Sequence, residues 1–432
     1  MEEHLRKILS AALEAADPGS AVRDSLRREG DEVLISGERH HPERVFVVAA
    51  GKAAGTMACA ARDVLGERLS GGLVVTKDGH RPGPEGLDTV FASHPEPDER
   101  GVEAARRIAE LAGSLDEGDL LLALISGGAS ALVADPAPGI DLDDLKALTS
   151  ALLRSGASID EINAVRKHVS MLKGGGLARL ASPARVAALL LSDVVGDDPS
   201  SIASGPSAPD PTTLDDARKV IRTYGIDPPR SVEEHLRRAP ETPKPGDPIF
   251  AQVTNLVVGG GLSTAQAAAE QAHTLGYTPL LLSTYITGES RAAALLHAAV
   301  VREALASGNP APPPLALVSG GETTVTVSGE GTGGPNQEFA LALAVALDGV
   351  EGWAAFSVDT DGTDGPTEAA GGLVDGRTAA KVREAGLDPE EALARNDACP
   401  ALEAADALLL TGPTGTNVND LRIILVTGPA PA

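Results

Sequence analysis

The chain alternates short apolar runs that end in glycine with longer stretches whose apolar residues recur at helical spacing. RVFVVAAGKAAG (44–55) reads as a strand, a glycine turn and a helix. GLVVTKDG (72–79) and TVFASHPEPDE (89–99) read as a second and third strand, each ending in polar residues as strands do at a ligand-facing edge. A helix over 99–111 leads to a strand at 120–125. An Asp-rich start caps a helix over 141–153, and 160–180 is a second helical stretch broken by glycines. RVAALLLSDVVGDDP (185–199) is a strand entering an acidic loop, and helices near 213–224 and 231–238 follow.

APETPKPGDP (239–248) is the clearest linker. Beyond it come a strand (253–258), a helix (263–276), a strand (279–284), a helix (288–306) and the stiff connector NPAPPP. Strands at 315–319 and 323–328 flank Gly320-Gly321-Glu322 in position to pair as a hairpin. A helix over 336–347, a strand at 353–358, short helices and closing strands near 408–410 and 423–426 complete the pattern. Residues 1 to about 30 read as helical. The alternation predicts a two-domain α/β protein: a parallel-sheet domain over 1–245, a smaller α/β domain over 246–432, and a site in the cleft between them. Residues 1–35 are left free to pack on the second domain.

Composition narrows the function classes. A hydrophobic fraction of 42% with only 2% aromatic residues means a core of Ala, Val, Leu and Ile, which suits parallel strands under Ala-rich helices. A net charge of −25 argues against nucleic acid and against an anionic membrane surface. An anionic small molecule would need a local positive island. Two cysteines make neither a disulfide framework nor a zinc site. No apolar run is long enough to span a bilayer and MEEHLRKILS is no signal peptide, so a cytoplasmic protein is expected. Quaternary state is left open, a homo-oligomer included.

Three apolar runs break into glycine turns beside a hydroxyl residue: LLALISGGAS, LVVGGGLST and LALVSGGETT. Such turns expose backbone N–H groups and suit phosphates or carboxylates; tight turns in any α/β protein need glycine too. Ser126, Gly127, Gly128 and Ser130 offer donors for an oxyanion, or Ser126 caps a helix. Gly51 and Lys52 lie just past a strand. Arg166, Lys167, His168 and Lys173 form the most basic stretch, yet one helix cannot turn all of them to one side. Asp193 follows a strand and could hold magnesium or accept a proton. Asp359, Asp361 and Asp364 lack the length and closing Glu of an EF-hand, leaving magnesium or turn capping. Gly259-x-Gly261-x-x-Thr264 nearly matches a dinucleotide fingerprint, but its third glycine and the acid after the next strand are missing.

GKAAG, LISGGASAL, VRKHVSMLKGG, LSDVVGDDPSSIASGPSAPD, VSGGETTV, GGPNQEFAL, DTDGTDGPTEAAGG and GPTGTNVNDL occur in that order across the whole chain. Together they resemble the glycerate 2-kinases of the MOFRL type, a family whose members also carry the name hydroxypyruvate reductase. The resemblance implies a Rossmann-like N-terminal domain and a smaller MOFRL domain. It implies ATP-dependent phosphorylation of D-glycerate to 2-phosphoglycerate with Mg2+ or another divalent cation. Lys52 is then the leading catalytic group with Asp193. Gly51, Ser126, Gly127, Gly128, Ser130 and Lys173 would face ATP or phosphate. Arg166, His168, Glu322, Asn336 and Gln337 would face the substrate, and Asp193, Asp361 and Asp364 the metal. The chain departs from the family twice: Pro335 and Gly176 stand where many members carry arginine. The helix beginning at Pro335 is expected to turn its N-terminus to the anion instead. The competing readings are an NAD(P)H-dependent oxidoreductase on hydroxypyruvate or glycerate, and a non-catalytic sugar-acid-binding protein.

Overall fold

A computed structural model describes residues 1–428; residues 429–432 of the expected second domain lie outside the described residues. The chain forms two compact units. The N-terminal unit comprises Pro18–Ser192 and Asp197–Val258; the C-terminal unit comprises Met1–Asp17, Asp193–Gly196 and the chain from Gly259 onward. The linker at 239–248 therefore lies inside the N-terminal unit, and the chain leaves that unit after Val258 rather than at 245. The reason is the strand Val253–Gly259, which joins the N-terminal sheet. Of the leading segment 1–35, only Met1–Asp17 belongs to the C-terminal unit.

The N-terminal sheet is built from β1 (Arg44–Ala50), β2 (Leu69–Lys77), β3 (Asp88–Ala92), β4 (Asp119–Ile125), β5 (Arg185–Leu191) and β6 (Val253–Gly259). Its order is β3-β2-β1-β4-β5-β6, with β1 to β5 paired in parallel. That is the Rossmann order, which reverses direction between β1 and β4. All seven residues of β4 are buried, as a continuous apolar run demands when both faces of a strand are covered. α1 (Ala54–Leu65) follows β1, and α2 (Ile159–His168) opens on a capping box of Ser158 and Glu161. A small antiparallel sheet of Leu26–Glu29, Glu32–Ile35 and Glu38–His40 stands where residues 26–30 were expected to continue a helix. Strands of three or four residues are too short for their alternation to stand out in the sequence.

The C-terminal sheet comprises β7 (Thr278–Glu289), β8 (Leu315–Thr324), β9 (Trp353–Asp359), β10 (Gly371–Asp375), β11 (Leu408–Leu409) and β12 (Asp420–Val426), in the order β7-β8-β12-β9-β10-β11. Only β7 and β8 run parallel; the other pairs are antiparallel. α3 (Gly261–Thr274) packs its alanines with Leu5, Ile8 and Leu9 of the first helix. On another face α4 (Pro335–Ala346) is buried along Asn336–Ala344 and packs with Trp353 and Ile424. The expected hairpin at 315–328 is instead the single strand β8. It stays in register with β12 through Gly320 and Gly321. Gly321 has φ +124, and a Cβ there would collide with the Ile286 backbone. These glycines let two strands approach, so this Ser-Gly-Gly is not an anion-binding turn.

Candidate active site

Two polar turns meet at the carboxyl ends of β1 and β4, where the strand order reverses. Gly51 has φ +125, and a Cβ on it would collide with the Ser126 side chain, so only glycine permits this approach. The Lys52 amide donates to the Gly127 carbonyl at 2.9 Å, and the Ala53 amide donates to Ser126 Oγ at 3.0 Å. The Ser126 hydroxyl thus ties the β1 turn to the β4 turn. Gly128, at φ +83, starts the short helix Ala129–Leu132. Ser130 Oγ lies 3.1 Å from Ser204 Oγ, which in turn donates to Asn163 Oδ1 at 3.1 Å.

A cavity of about 260 Å³ opens beside this clasp, lined among others by His94, Gly128, Ser130, Arg166 and the Asp135–Lys173 pair. Arg166 is half-buried. Among the described residues its guanidinium meets no carboxylate, and burial alone lowers its pKa. A buried cation without a counter-ion is an unfilled half of an ion pair. Lys173, by contrast, is neutralised: its Nζ pairs with Asp135 and donates to the Val133 carbonyl at 3.1 Å. It ties its own loop to the 133–135 segment, which weighs against the phosphate-binding role expected of it. His168 is buried away from this cavity, its Nδ1 donating to the Ala164 carbonyl at 2.7 Å and its Nε2 3.3 Å from Glu241. Arg166 and His168 therefore diverge on α2, and only Arg166 reaches the cavity.

Lys52 borders Gly128: its Cγ lies 3.4 Å from the point where a Gly128 Cβ would sit, and the His94 ring lies 3.1 Å from the same point. His94 escaped the sequence reading. Its one signal was its place at the polar end of the third strand, in SHPEP. Burial, then the positive charges of Lys52, Lys77 and His80, hold its imidazole down at about 4.

The C-terminal unit holds a carboxylate-rich region. Asp364 Oδ2 accepts from the Gln337 amide at 2.8 Å, and Oδ1 from the Asn336 amide at 3.1 Å. It therefore caps α4, and the helix N-terminus expected to face an anionic ligand already holds a carboxylate. Asn336 Nδ2 donates to Asp420 at 2.7 Å, its Oδ1 accepts from Ser357 at 2.6 Å, and Gln337 Nε2 donates to Thr367 at 2.6 Å. Both amides are buried in this frame rather than turned to a substrate. Asp420 also accepts from the Thr323 amide at 3.0 Å and pairs with the buried Arg422.

Burial, then the Asp361 charge, pushes the Asp359 carboxyl up to about 8; burial lifts Asp364 to about 6 against the donors from α4. Glu322 is raised by the partial desolvation of its carboxyl, although the residue as a whole is exposed, and by the charges of Asp420 and Asp193. Asp361 accepts from the Thr363 amide and hydroxyl at 2.9 and 2.7 Å. Asp193, Asp361 and Asp364 are not gathered as one ligand set: among the described residues no three His, Cys, Asp or Glu side chains group to hold a metal ion. Nor is any described helix long and apolar enough to cross a membrane.

The strand order and the clasp between β1 and β4 define a Rossmann-like α/β protein with a pocket at its switch point that sets Arg166 and Ser130 in a largely apolar wall. Residues 4–237 match the family described as a domain of unknown function (DUF4147), and residues 315–420 match the MOFRL family. The chain is 44% identical to the D-glycerate 2-kinase of Thermotoga maritima over 97% of both chains. It is 41% identical to the glycerate 2-kinase of Pyrococcus horikoshii over 98% of this chain and 96% of that one. The crystal structure of the Thermotoga maritima glycerate kinase superposes with a TM-score of 0.89 at 42% identity, covering 98% of this chain and 99% of that one. The chain belongs to the MOFRL-type glycerate 2-kinase family.

Proposed function

We propose that the chain transfers the γ-phosphoryl group of ATP to the 2-hydroxyl of D-glycerate. The observation that carries this reading is the cavity at the switch point, where the unpaired Arg166 guanidinium sits with Ser130 beside the glycine turn. Glycerate brings a carboxylate for Arg166 and hydroxyls for neutral donors. Gly127 and Gly128 put no side chain in the way of a phosphate oxygen, and Gly51 keeps the two turns close. Lys52, bordering Gly128, neutralises charge on the transferring phosphoryl oxygens. His168, Lys173, Asn336, Gln337 and Asp364 drop out of the proposed ligand set because each is held in the frame of the fold.

ATP reaches kinases with a divalent cation, usually held by phosphate oxygens and one or two carboxylates. Asp193 and Glu322 repel each other, as do Asp359 and Asp361, and a cation would relieve that repulsion. Asp193 with Glu322, or Asp361 with Asp359, are the carboxylate pairs that would hold such an ion, and when bound it would supply positive charge for phosphate oxygens.

The hydride-transfer alternative fares worse. The near-fingerprint Gly259-x-Gly261 follows β6, the outermost strand, whereas dinucleotide turns follow the first strand of such a sheet. A coupled assay separates the readings: ADP should appear with ATP, Mg2+ and D-glycerate, and NADH and NADPH should stay unoxidised with hydroxypyruvate. Oxidation of either without ADP formation would overturn the kinase reading.

A further inference from the structure

The chain's other well-placed histidines are tethered. His80, His168, His235 and His297 each bring a ring nitrogen within 2.7–3.0 Å of a backbone carbonyl. His94 differs. It follows β3 at the carboxyl edge of the sheet, is half-buried, and lines the same cavity as Arg166, Gly128 and Ser130. Among the described residues neither of its ring nitrogens has a hydrogen-bond partner. Its Nε2 lies 3.1 Å from where a Gly128 Cβ would sit, so the glycine leaves the ring its place against the turn.

We propose that His94 takes the proton of the substrate hydroxyl during phosphoryl transfer, an inference that rests on the glycerate-kinase reading. The groups facing the ring are Lys52, Lys77 and His80, with Arg166 and the mutually neutralised Asp135–Lys173 pair elsewhere on the cavity wall. This surrounding keeps the imidazole neutral, with a lone pair available at working pH. A substrate carboxylate and nucleotide phosphates bring negative charge, which raises the basicity of the ring as the complex assembles. The substrate O2–H proton then passes to the unprotonated ring nitrogen, and O2 forms its bond to the γ-phosphorus. The bond from that phosphorus to the β,γ-bridging oxygen breaks, and its electron pair leaves with ADP. The imidazolium afterwards releases its proton to water.

The test uses the full chain with ATP, Mg2+ and D-glycerate. His94→Ala should lower kcat on the order of a hundredfold, as loss of a positioned base does. Its KM for glycerate should stay within about threefold of wild type, because Arg166 remains. Added imidazole should restore turnover in proportion to its concentration, which a packing role would not allow. If His94→Ala does not fold, His94→Asn decides: a comparable fall in kcat at preserved KM supports the proposal. A kcat within about threefold of wild type in either variant, or a folded His94→Ala that imidazole does not restore, overturns it. A wild-type chain that fails to phosphorylate glycerate overturns both this role and the proposed function; an active wild type with an active His94→Asn overturns this role alone.

Discussion

Replacing Arg166 with methionine should raise stability or leave it unchanged while weakening substrate binding. The guanidinium lies in a cavity of about 260 Å³ with no carboxylate against it among the described residues, and burial disfavours its charge. Methionine keeps most of the apolar stem and removes the unpaired charge, so the empty protein loses a penalty rather than a bond. A substrate carboxylate loses a charge-assisted hydrogen bond worth about 1.5–3 kcal/mol. That corresponds to a KM for glycerate about ten to about a hundred and fifty times higher. Thermal unfolding with and without glycerate gives a second reading. At a glycerate concentration of about a hundred times the wild-type Kd, ligand stabilises wild type by about 2.7 kcal/mol. A thirtyfold weaker site would retain about 0.9 kcal/mol under the same conditions. Steady-state ADP release and Tm measurements on both proteins suffice. A variant with unchanged KM and a lowered Tm would show that Arg166 braces the fold and does not meet the substrate.

Lys52→Ala should fold normally and lose turnover on the order of a hundredfold, since a preorganised cation at the transferring group acts mainly in the transition state; near-normal kcat in a folded variant would remove Lys52 from the mechanism. Asp359→Asn should raise Tm at pH 8 and do little at pH 4. The folded carboxyl holds its proton to about 8 while the unfolded one releases it near 3.8, so the folded state binds more protons across that window and stability falls as pH rises through it. Equal Tm values for Asp359→Asn and wild type from pH 4 to pH 8 would remove that account of the carboxylate region.

What the sequence disclosed and what it hid follow from the range of the interactions. The run Leu120–Ile125 announced a strand buried on both faces, and GKAAG announced a turn after β1, because these signals are local. The same Ser-Gly-Gly pattern meant two different things. At 126–128 it ends a strand and opens a polar turn; at 319–321 it continues through a strand whose neighbour Ile286 comes too close for a side chain. The β-branched run after 321 signals a strand, but not that it continues the one before it, because the deciding contact comes from another strand. Lys173 looked like a ligand because its partner Asp135 lies far along the chain. Asp364 looked like a metal ligand because the helix end it caps begins at Pro335, far upstream. His94 was hidden for the opposite reason: a single histidine after a strand carries no pattern, and only the fold brings it to Gly128 and Arg166.

The central claim is phosphoryl transfer to the 2-hydroxyl of glycerate, and phosphorus NMR of the reacting mixture tests it most directly. With wild-type protein, ATP, Mg2+ and D-glycerate, the γ-phosphate resonance should decline as ADP and one new phosphomonoester grow together. Proton coupling should place that ester on C2, giving 2-phosphoglycerate. Loss of the γ-phosphate into inorganic phosphate alone, or no change in the spectrum under conditions where hydroxypyruvate oxidises NADH, would contradict the account.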